Sequence, residues 1–120
     1  MNIVSTANGE HYTWGNQCDG WHLVRSDALS VIQERMPPAT SEIRHCHTRA
    51  LQFFYVLAGE LSIALPDKTH TLRVEQGLEV APGVPHRVFN NAAVEARFLV
   101  TSSPPAQDDR VTCPEEPGGS

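Results

Sequence analysis

Residues 45–59 read HCHTRALQFFYVLAG, and this stretch is the basis for predicting the fold. Within it, His45 and His47 are separated by one residue, and in a β-strand such residues point to the same face, about 6.5–7 Å apart. Two imidazoles in this arrangement can bind the same metal ion. A stable transition-metal site requires three or four protein ligands. The nearest further candidates are Gln52 in the same stretch and His86, which follows a turn rich in proline and glycine.

The sequence on both sides of this stretch has the pattern of short β-strands. Apolar and β-branched residues gather in about eight short segments, and no convincing helix lies between them. Turn-forming residues separate the segments, and residues 61–65 and 69–74 flank the clearest hairpin turn. The pattern predicts an all-β chain folded as an antiparallel sandwich or barrel. The predicted strands are 21–25, 29–34, 52–58, 60–65, 69–74, 78–81, 86–90 and 96–101.

The composition limits the size and the partners of the protein. A chain of 120 residues, 40% of them hydrophobic, accommodates one domain with its own core. The net charge is -5 and the nine basic residues are scattered, so we expect no nucleic-acid partner and no binding to an anionic membrane. No stretch has the length and hydropathy of a membrane span and no signal peptide is visible, so a cytoplasmic location is expected. Three cysteines without a C-x-x-C pair predict neither a disulfide framework nor a cysteine zinc site.

The predicted domain covers residues 1–101. Its first twenty residues contain Tyr12 and Trp14 among polar residues, and we interpret them as a strand and a loop that cover one mouth of the barrel. Residues 102–120 are rich in proline, glycine and acidic residues and contain almost no apolar residue. A disordered tail is therefore predicted over 102–120.

Two spaced motifs resemble those of the cupin superfamily, which are written H-x-H-x(3,4)-E-x(6)-G and P-x-G-x(2)-H-x(3)-N. The matching residues are His45, His47, Gln52 and Gly59 for the first motif, and Gly83, His86 and Asn90 for the second. The resemblance covers about residues 29–101 and is to small single-domain cupins of the cupin 2 type. It implies a conical antiparallel jelly-roll barrel with a divalent metal ion inside. The implied metal ligands are His45, His47, Gln52 and His86.

Gln52 stands where the cupin motif usually has a glutamate. A glutamate would reduce the charge of a dication site from +2 to +1, whereas an amide leaves it at +2. We therefore expect weaker metal binding, stronger Lewis acidity and attraction for an anionic or chelating substrate. The set is similar to that of small cupins that linearise unsaturated uronates, whose glutamine follows one residue sooner. The sequence predicts a divalent transition metal and does not distinguish Fe, Mn, Ni, Co, Cu and Zn.

Other polar residues give weaker signals. Glu34 is a candidate catalytic base or fifth ligand if its face lines the barrel, and otherwise an edge or solvent-facing residue. Glu42 is either a surface residue or a partner that orients a histidine. Strand alternation turns Cys46 away from the metal and turns Phe54 and Val56 towards the pocket. Three histidines lack a partner at ligand spacing and are expected on the surface, namely His11, His22 and His70.

Three functions are compatible with such a site. The first is a metal-dependent enzyme, such as an oxygenase, isomerase or lyase, that acts on a small oxygen-rich or anionic molecule with Glu34 as the candidate base. The second is a non-catalytic protein that binds or senses a small ligand. The third is a barrel that has lost its metal and serves as an assembly unit. The sheet edges of a jelly roll and the aromatic N-terminal segment favour a homodimer.

Overall fold

A computed structural model describes residues 1–106 and 108–114 of the chain. Every regular element in these residues is a β-strand, and the segments include no helix with the length and hydropathy of a membrane span. The strands are β1 (Glu10–Trp14), β2 (Cys18–Arg25), β3 (Ser30–Met36), β4 (Thr40–Ser41), β5 (His45–His47), β6 (Leu51–Ala58), β7 (Leu61–Ala64), β8 (Thr69–Leu72), β9 (Gly77–Val80), β10 (Arg87–Asn90), β11 (Ala96–Ser103) and β12 (Arg110–Thr112).

The strands form two main antiparallel sheets. One has six strands in the order β1-β2-β3-β11-β6-β9, and the other has four in the order β4-β10-β7-β8. Strands β5 and β12 form a separate antiparallel pair, and a bridge between His45 and His86 joins β5 to the start of β10. The predicted all-β antiparallel barrel is confirmed, and the predicted hairpin is the pair β7 and β8.

The core lies between the two sheets because side chains alternate along their strands. In β6, Gln52, Phe54 and Val56 are buried, whereas Phe53 and Leu57 on the opposite face are 42% and 39% exposed. This is the orientation that the sequence predicts for β6. The buried apolar residues from both sheets pack as one cluster, which consists of Cys18, Met36, Phe54, Val56, Leu61, Ile63, Leu72, Val80, Val88, Ala96, Phe98 and Val100.

The prediction of a disordered tail over 102–120 differs from the structure in the described part of that segment. Strand β11 continues through Ser103, and β12 pairs with β5. Just before β12, Asp109 is buried, and its carbonyl oxygen accepts a hydrogen bond from the Thr48 amide. Backbone hydrogen bonds and one buried carboxylate hold this segment, so its lack of apolar residues was misleading. Residues 107 and 115–120 of the predicted tail lie outside the described residues.

Two motif glycines occupy turns with positive φ. Gly59 has φ +74°, and a Cβ there would overlap the carbonyl oxygen of Glu95 at the start of β11. Gly83 has φ +81°, but no atom lies within 4 Å of where its Cβ would be. Both positions therefore favour glycine for its backbone freedom, and Gly59 also requires it for space.

We expect Gly59→Ala to lower the free energy of unfolding by at least about 2 kcal/mol, because it adds overlap to backbone strain. Gly83→Ala is the matched control with backbone strain alone, and we expect it to cost about 1 kcal/mol. Urea unfolding of both variants measures the difference. Equal losses in the two variants would contradict the tight approach of Gly59 to Glu95.

Candidate metal centre

Three histidines converge at the junction of β5 and β10. The His45 amide donates to the His86 carbonyl oxygen at 3.0 Å, and the His86 amide donates to the His45 carbonyl oxygen at 2.8 Å. His47 lies two residues along β5 and therefore shares the face of His45. One ring nitrogen from each histidine lies within 4.8 Å of those of the other two, and all three residues are buried. The structure thus brings together the three histidines that the motifs single out.

Hydrogen bonds at Nδ1 fix the tautomer of each ring. Nδ1 of His45 lies 2.8 Å from the carbonyl oxygen of Ile43, and Nδ1 of His86 lies 2.9 Å from that of Val84. Carbonyl oxygens only accept, so both Nδ1 atoms carry the proton and both Nε2 atoms present a lone pair. Nε2 of His86 is buried and has no hydrogen-bond partner among the described residues. This is the ring arrangement of a metal-ligating histidine.

The imidazoles of His45 and His86 are neutral at physiological pH. The pKa of His45 is lowered to about 3, mainly by burial. The hydrogen bond to Ile43 raises this pKa, whereas the neighbouring His86 and His47 rings lower it. Burial also lowers the pKa of His86. A metal ion therefore does not compete with protons for these lone pairs near pH 7.

Gln52 adds an oxygen donor to the same region. Its side chain is buried in β6 and lines the cavity that His45 and His47 also line. Its Nε2 donates to Oγ of Ser102 at 3.1 Å, while its Oε1 is buried with no partner in residues 1–106 and 108–114. The site offers three imidazole nitrogens and one amide oxygen. Two of these atoms, Nε2 of His86 and Oε1 of Gln52, are buried without a hydrogen-bond partner among the described residues. This set of donors fits a divalent transition metal.

Asp109 holds the ring of His47, and this role was not identified from the sequence. Its Oδ1 accepts from Nδ1 of His47 at 2.9 Å, and its Oδ2 accepts from the amides of Arg49 and Ala50, each at 2.9 Å. Burial raises the pKa of Asp109, but the hydrogen bonds outweigh it, so the pKa lies below its usual value. An ionised carboxylate therefore orients the His47 ring. The composition of the segment around Asp109 concealed this role.

A cavity of about 370 Å³ opens beside the histidines, and Glu34 lines it. Strand pairing places Gly20 of β2 between Tyr12 of β1 and Glu34 of β3. The ring of Tyr12 lies over Gly20, where a side chain would overlap it, and its hydroxyl donates to Oε2 of Glu34 at 3.0 Å. The glycine thus allows a side chain of β1 to reach one of β3. Of the two alternatives for Glu34, the structure shows the one that faces the barrel interior.

The cavity changes the acidity of its carboxyl groups. Burial raises the pKa of Glu34 to about 7, although the Tyr12 hydrogen bond and the charge of Arg110 lower it. Burial and the nearby Glu34 raise the pKa of Glu42 to about 8. Burial and the Glu34 charge raise the pKa of Tyr12, so its hydroxyl remains a donor. Glu34 can therefore exchange a proton near neutral pH.

Glu42 is a cavity residue and a neighbour of His45. Its Oε1 accepts from the Val88 amide at 3.0 Å and lies 3.7 Å from Nδ1 of His45. The structure thus favours a partner of the histidine over a surface residue. Cys46 of β5 lies beside Cys113, the residue that directly follows β12, and does not line the cavity, as strand alternation predicts.

His22 was expected on the surface, and that prediction is wrong because its side chain lines the cavity. The ring centroid of His22 is 5.2 Å from that of Tyr12, and its buried Nδ1 has no partner among the described residues. Pairing of β2 with β3 places His22 opposite Ile32, another cavity residue, and this register was not evident in the sequence. His11 is exposed, as expected, and lies 2.7 Å from Asp19.

Comparison with known proteins identifies relatives of this fold. The family described as Cupin domain matches residues 32–102. Protein SchB of Streptomyces halstedii is 40% identical over 60 residues, which cover 50% of this chain and 44% of that protein. Polyketide synthase CurC of Streptomyces cyaneus is 35% identical over 69 residues, which cover 58% of this chain and 45% of that protein. The chain thus matches less than half the length of these curated relatives.

A solved structure shares nearly the whole fold. The polyketide cyclase RemF from Streptomyces resistomycificus superposes with a TM-score of 0.79 and covers 97% of this chain and 88% of its own. The two sequences are 20% identical, so this likeness is evidence for the fold alone.

We expect Gln52→Glu to bind Zn(II) or Co(II) at least about tenfold more tightly, because a carboxylate compensates part of the metal charge. Competition with a chromogenic chelator measures the affinity. Gln76→Glu adds the same charge in an exposed turn and serves as the control, for which no change is expected. An unchanged affinity in Gln52→Glu would argue against residue 52 as a ligand.

We expect Asp109→Asn to weaken metal binding by about 10- to 100-fold, because the amide loses the charge that orients the His47 ring. In either orientation of the asparagine amide, its NH2 group also meets a donor, which is Nδ1–H of His47 or the amides of Arg49 and Ala50. Asp108→Asn alters an exposed neighbour and should leave affinity unchanged. The same chelator titration compares the two variants, and equal affinities would contradict the role of Asp109.

Proposed function

Because the chain belongs to the cupin family, we propose that it is an enzyme with one divalent transition metal held by His45, His47, His86 and Gln52. The proposed reaction is ring closure of a small polyketide, that is, a chain of carbonyl groups separated by single carbons. One observation carries this proposal. Glu34, a carboxyl group with a pKa of about 7, lines the same cavity as His45 and His47.

The substrate class suits both parts of the cavity. A divalent metal ion at the histidines would polarise a carbonyl oxygen and so acidify the carbon beside it. Glu34 supplies the base, since a carboxylate with a pKa near the working pH transfers protons efficiently in both directions. Its Oε2 is occupied by the Tyr12 hydroxyl, so Oε1 is left to take the proton from the substrate carbon.

The proposed ring closure is an isomerisation, in which the substrate neither gains nor loses an atom. The carbon that loses its proton to Glu34 forms a bond to a carbonyl carbon farther along the same chain. The oxygen of that second carbonyl becomes an alkoxide and takes up the proton that Glu34 returns. The ring isomer therefore has the composition of the linear substrate, and later loss of water makes it aromatic. Tyr12 holds Glu34 in place during both transfers.

The walls of the cavity favour a compact, mostly apolar molecule. Ile32, Phe54 and Val100 line it together with the polar groups. Its volume of about 370 Å³ is within the range of small-molecule sites, about 300–1,000 Å³. Apolar walls exclude water and so protect a reactive carbanion from it. A substrate longer than the cavity would insert only the end that reacts.

The names of the relatives support the polyketide part of the proposal. CurC, which matches 58% of this chain, carries the name polyketide synthase, and RemF, a polyketide cyclase, has the same fold. The shared cupin fold hosts many reactions, so the substrate class rests on these names together with the base in the cavity.

The proposed reaction is tested with metal-loaded protein and a soluble linear 1,3,5-triketone, and the cyclic product is measured by absorbance and mass spectrometry. We expect Glu34→Gln to lower kcat by about 10²- to 10⁴-fold with unchanged metal content. Glu79→Gln, an exposed substitution on β9, is the matched control. Binding of the triketone without turnover by the wild type would favour a ligand-binding protein instead.

The pH profile tests the pairing of Tyr12 with Glu34. The wild-type rate should rise as pH passes about 7, because the base must be ionised. The Tyr12 hydrogen bond lowers the pKa of Glu34, so Tyr12→Phe should move this rise to higher pH. A profile that does not move in Tyr12→Phe would show that the base is another group.

A further inference from the structure

Two of the three cysteines lie side by side on the face of the pair β5–β12 that is turned away from the cavity. Sγ of Cys113 is 3.4 Å from Sγ of Cys46, and both residues are partly exposed. The third, Cys18, is fully buried in the core. Neither member of the close pair has a role in the proposed reaction.

Strand pairing accounts for this proximity. Val111 of β12 stands opposite Cys46 of β5, and the Cys113 amide donates to the carbonyl oxygen of Arg44 at 3.0 Å. Cys113 directly follows β12, and its hydrogen bond to Arg44 continues the pairing by one residue. Its side chain therefore lies on the same side as that of Val111 and leans across the pair towards Cys46. A disulfide needs the sulfurs at about 2.05 Å. A small rotation of the two side chains and a slight approach of the strands close the remaining gap.

We propose that Cys46 and Cys113 are a reversible disulfide site that fastens β12 to β5. Each thiol loses one hydrogen, and the two sulfurs form one bond. The two electrons and two protons pass to a low-molecular-weight disulfide such as oxidised glutathione, which becomes two thiols. Hydrogen peroxide also serves as the oxidant, and it becomes two molecules of water.

The disulfide reaches the metal centre through β12. This strand is three residues long, all of them exposed, and it pairs with β5 alone among the strands of the described residues. Directly before it, Asp109 holds His47, and its first residue, Arg110, lines the cavity. A covalent bond between the strands therefore limits the opening of the segment that carries both residues. Oxidation should slow metal release, and reduction should restore it.

The first experiment identifies the bond without any assumption about catalysis. The purified full chain is treated with oxidised glutathione, alkylated and mapped by mass spectrometry. We expect loss of two hydrogens, one peptide pair joining Cys46 to Cys113, and one remaining thiol. Cys18→Ser should form the same bond, whereas Cys113→Ser should not lose two hydrogens. Stable glutathione adducts, three remaining thiols, or a bond to Cys18 would overturn the proposal.

The second experiment measures the consequence for the structure. We expect the oxidised wild type to melt about 5–10 °C higher than the reduced form, because the bond closes a long loop in the unfolded chain. Release of Zn(II) to excess chelator should slow at least about tenfold in the oxidised form. Cys46→Ser should show neither change. Formation of the bond with unaltered release would contradict its proposed link to the metal centre.

Discussion

The antiparallel bridge between His45 and His86 is the constraint on which the candidate site depends. Two backbone hydrogen bonds join these residues, which are distant in sequence, and so set the separation of their rings. Each ring then bonds to the carbonyl oxygen two residues earlier in its own chain segment, that of Ile43 or Val84. The same local geometry is thus used twice, and it points two Nε2 lone pairs towards one location. His47 joins them because β5 alternates.

The cavity combines groups that burial affects in opposite ways. Burial disfavours charge, so it keeps the imidazoles of His45 and His86 neutral and raises the pKa values of Glu34 and Glu42. The cavity therefore offers both lone pairs to a metal and carboxyl groups whose pKa values lie at about 7 and about 8. Asp109 differs from these carboxyl groups because three hydrogen bonds keep it ionised despite burial. Its contacts are fixed by the backbone of the loop between β5 and β6.

The sequence predicted what depends on local periodicity and spacing. Alternation placed His45 and His47 on one face, and it turned Phe54 and Val56 of β6 inwards. The residues that were missed depend on how the strands pair and in which register. His22 reaches the cavity through the register of β2 with β3, and Asp109 through the pairing of β12 with β5. A polar, proline-rich sequence does not reveal such a strand, because hydrogen bonds rather than apolar contacts hold it.

Elemental analysis shows directly whether the histidine cluster is a metal site. Protein purified without chelator is analysed for first-row transition metals as the wild type, His86→Ala and His70→Ala, the last altering a histidine of β8 outside the cluster. We expect close to one metal ion per chain in the wild type and in His70→Ala, and little or none in His86→Ala. A wild type that remains without metal after incubation with Zn(II), Co(II) or Fe(II), or a His86→Ala variant that retains the metal, would show that the three histidines do not form a metal site.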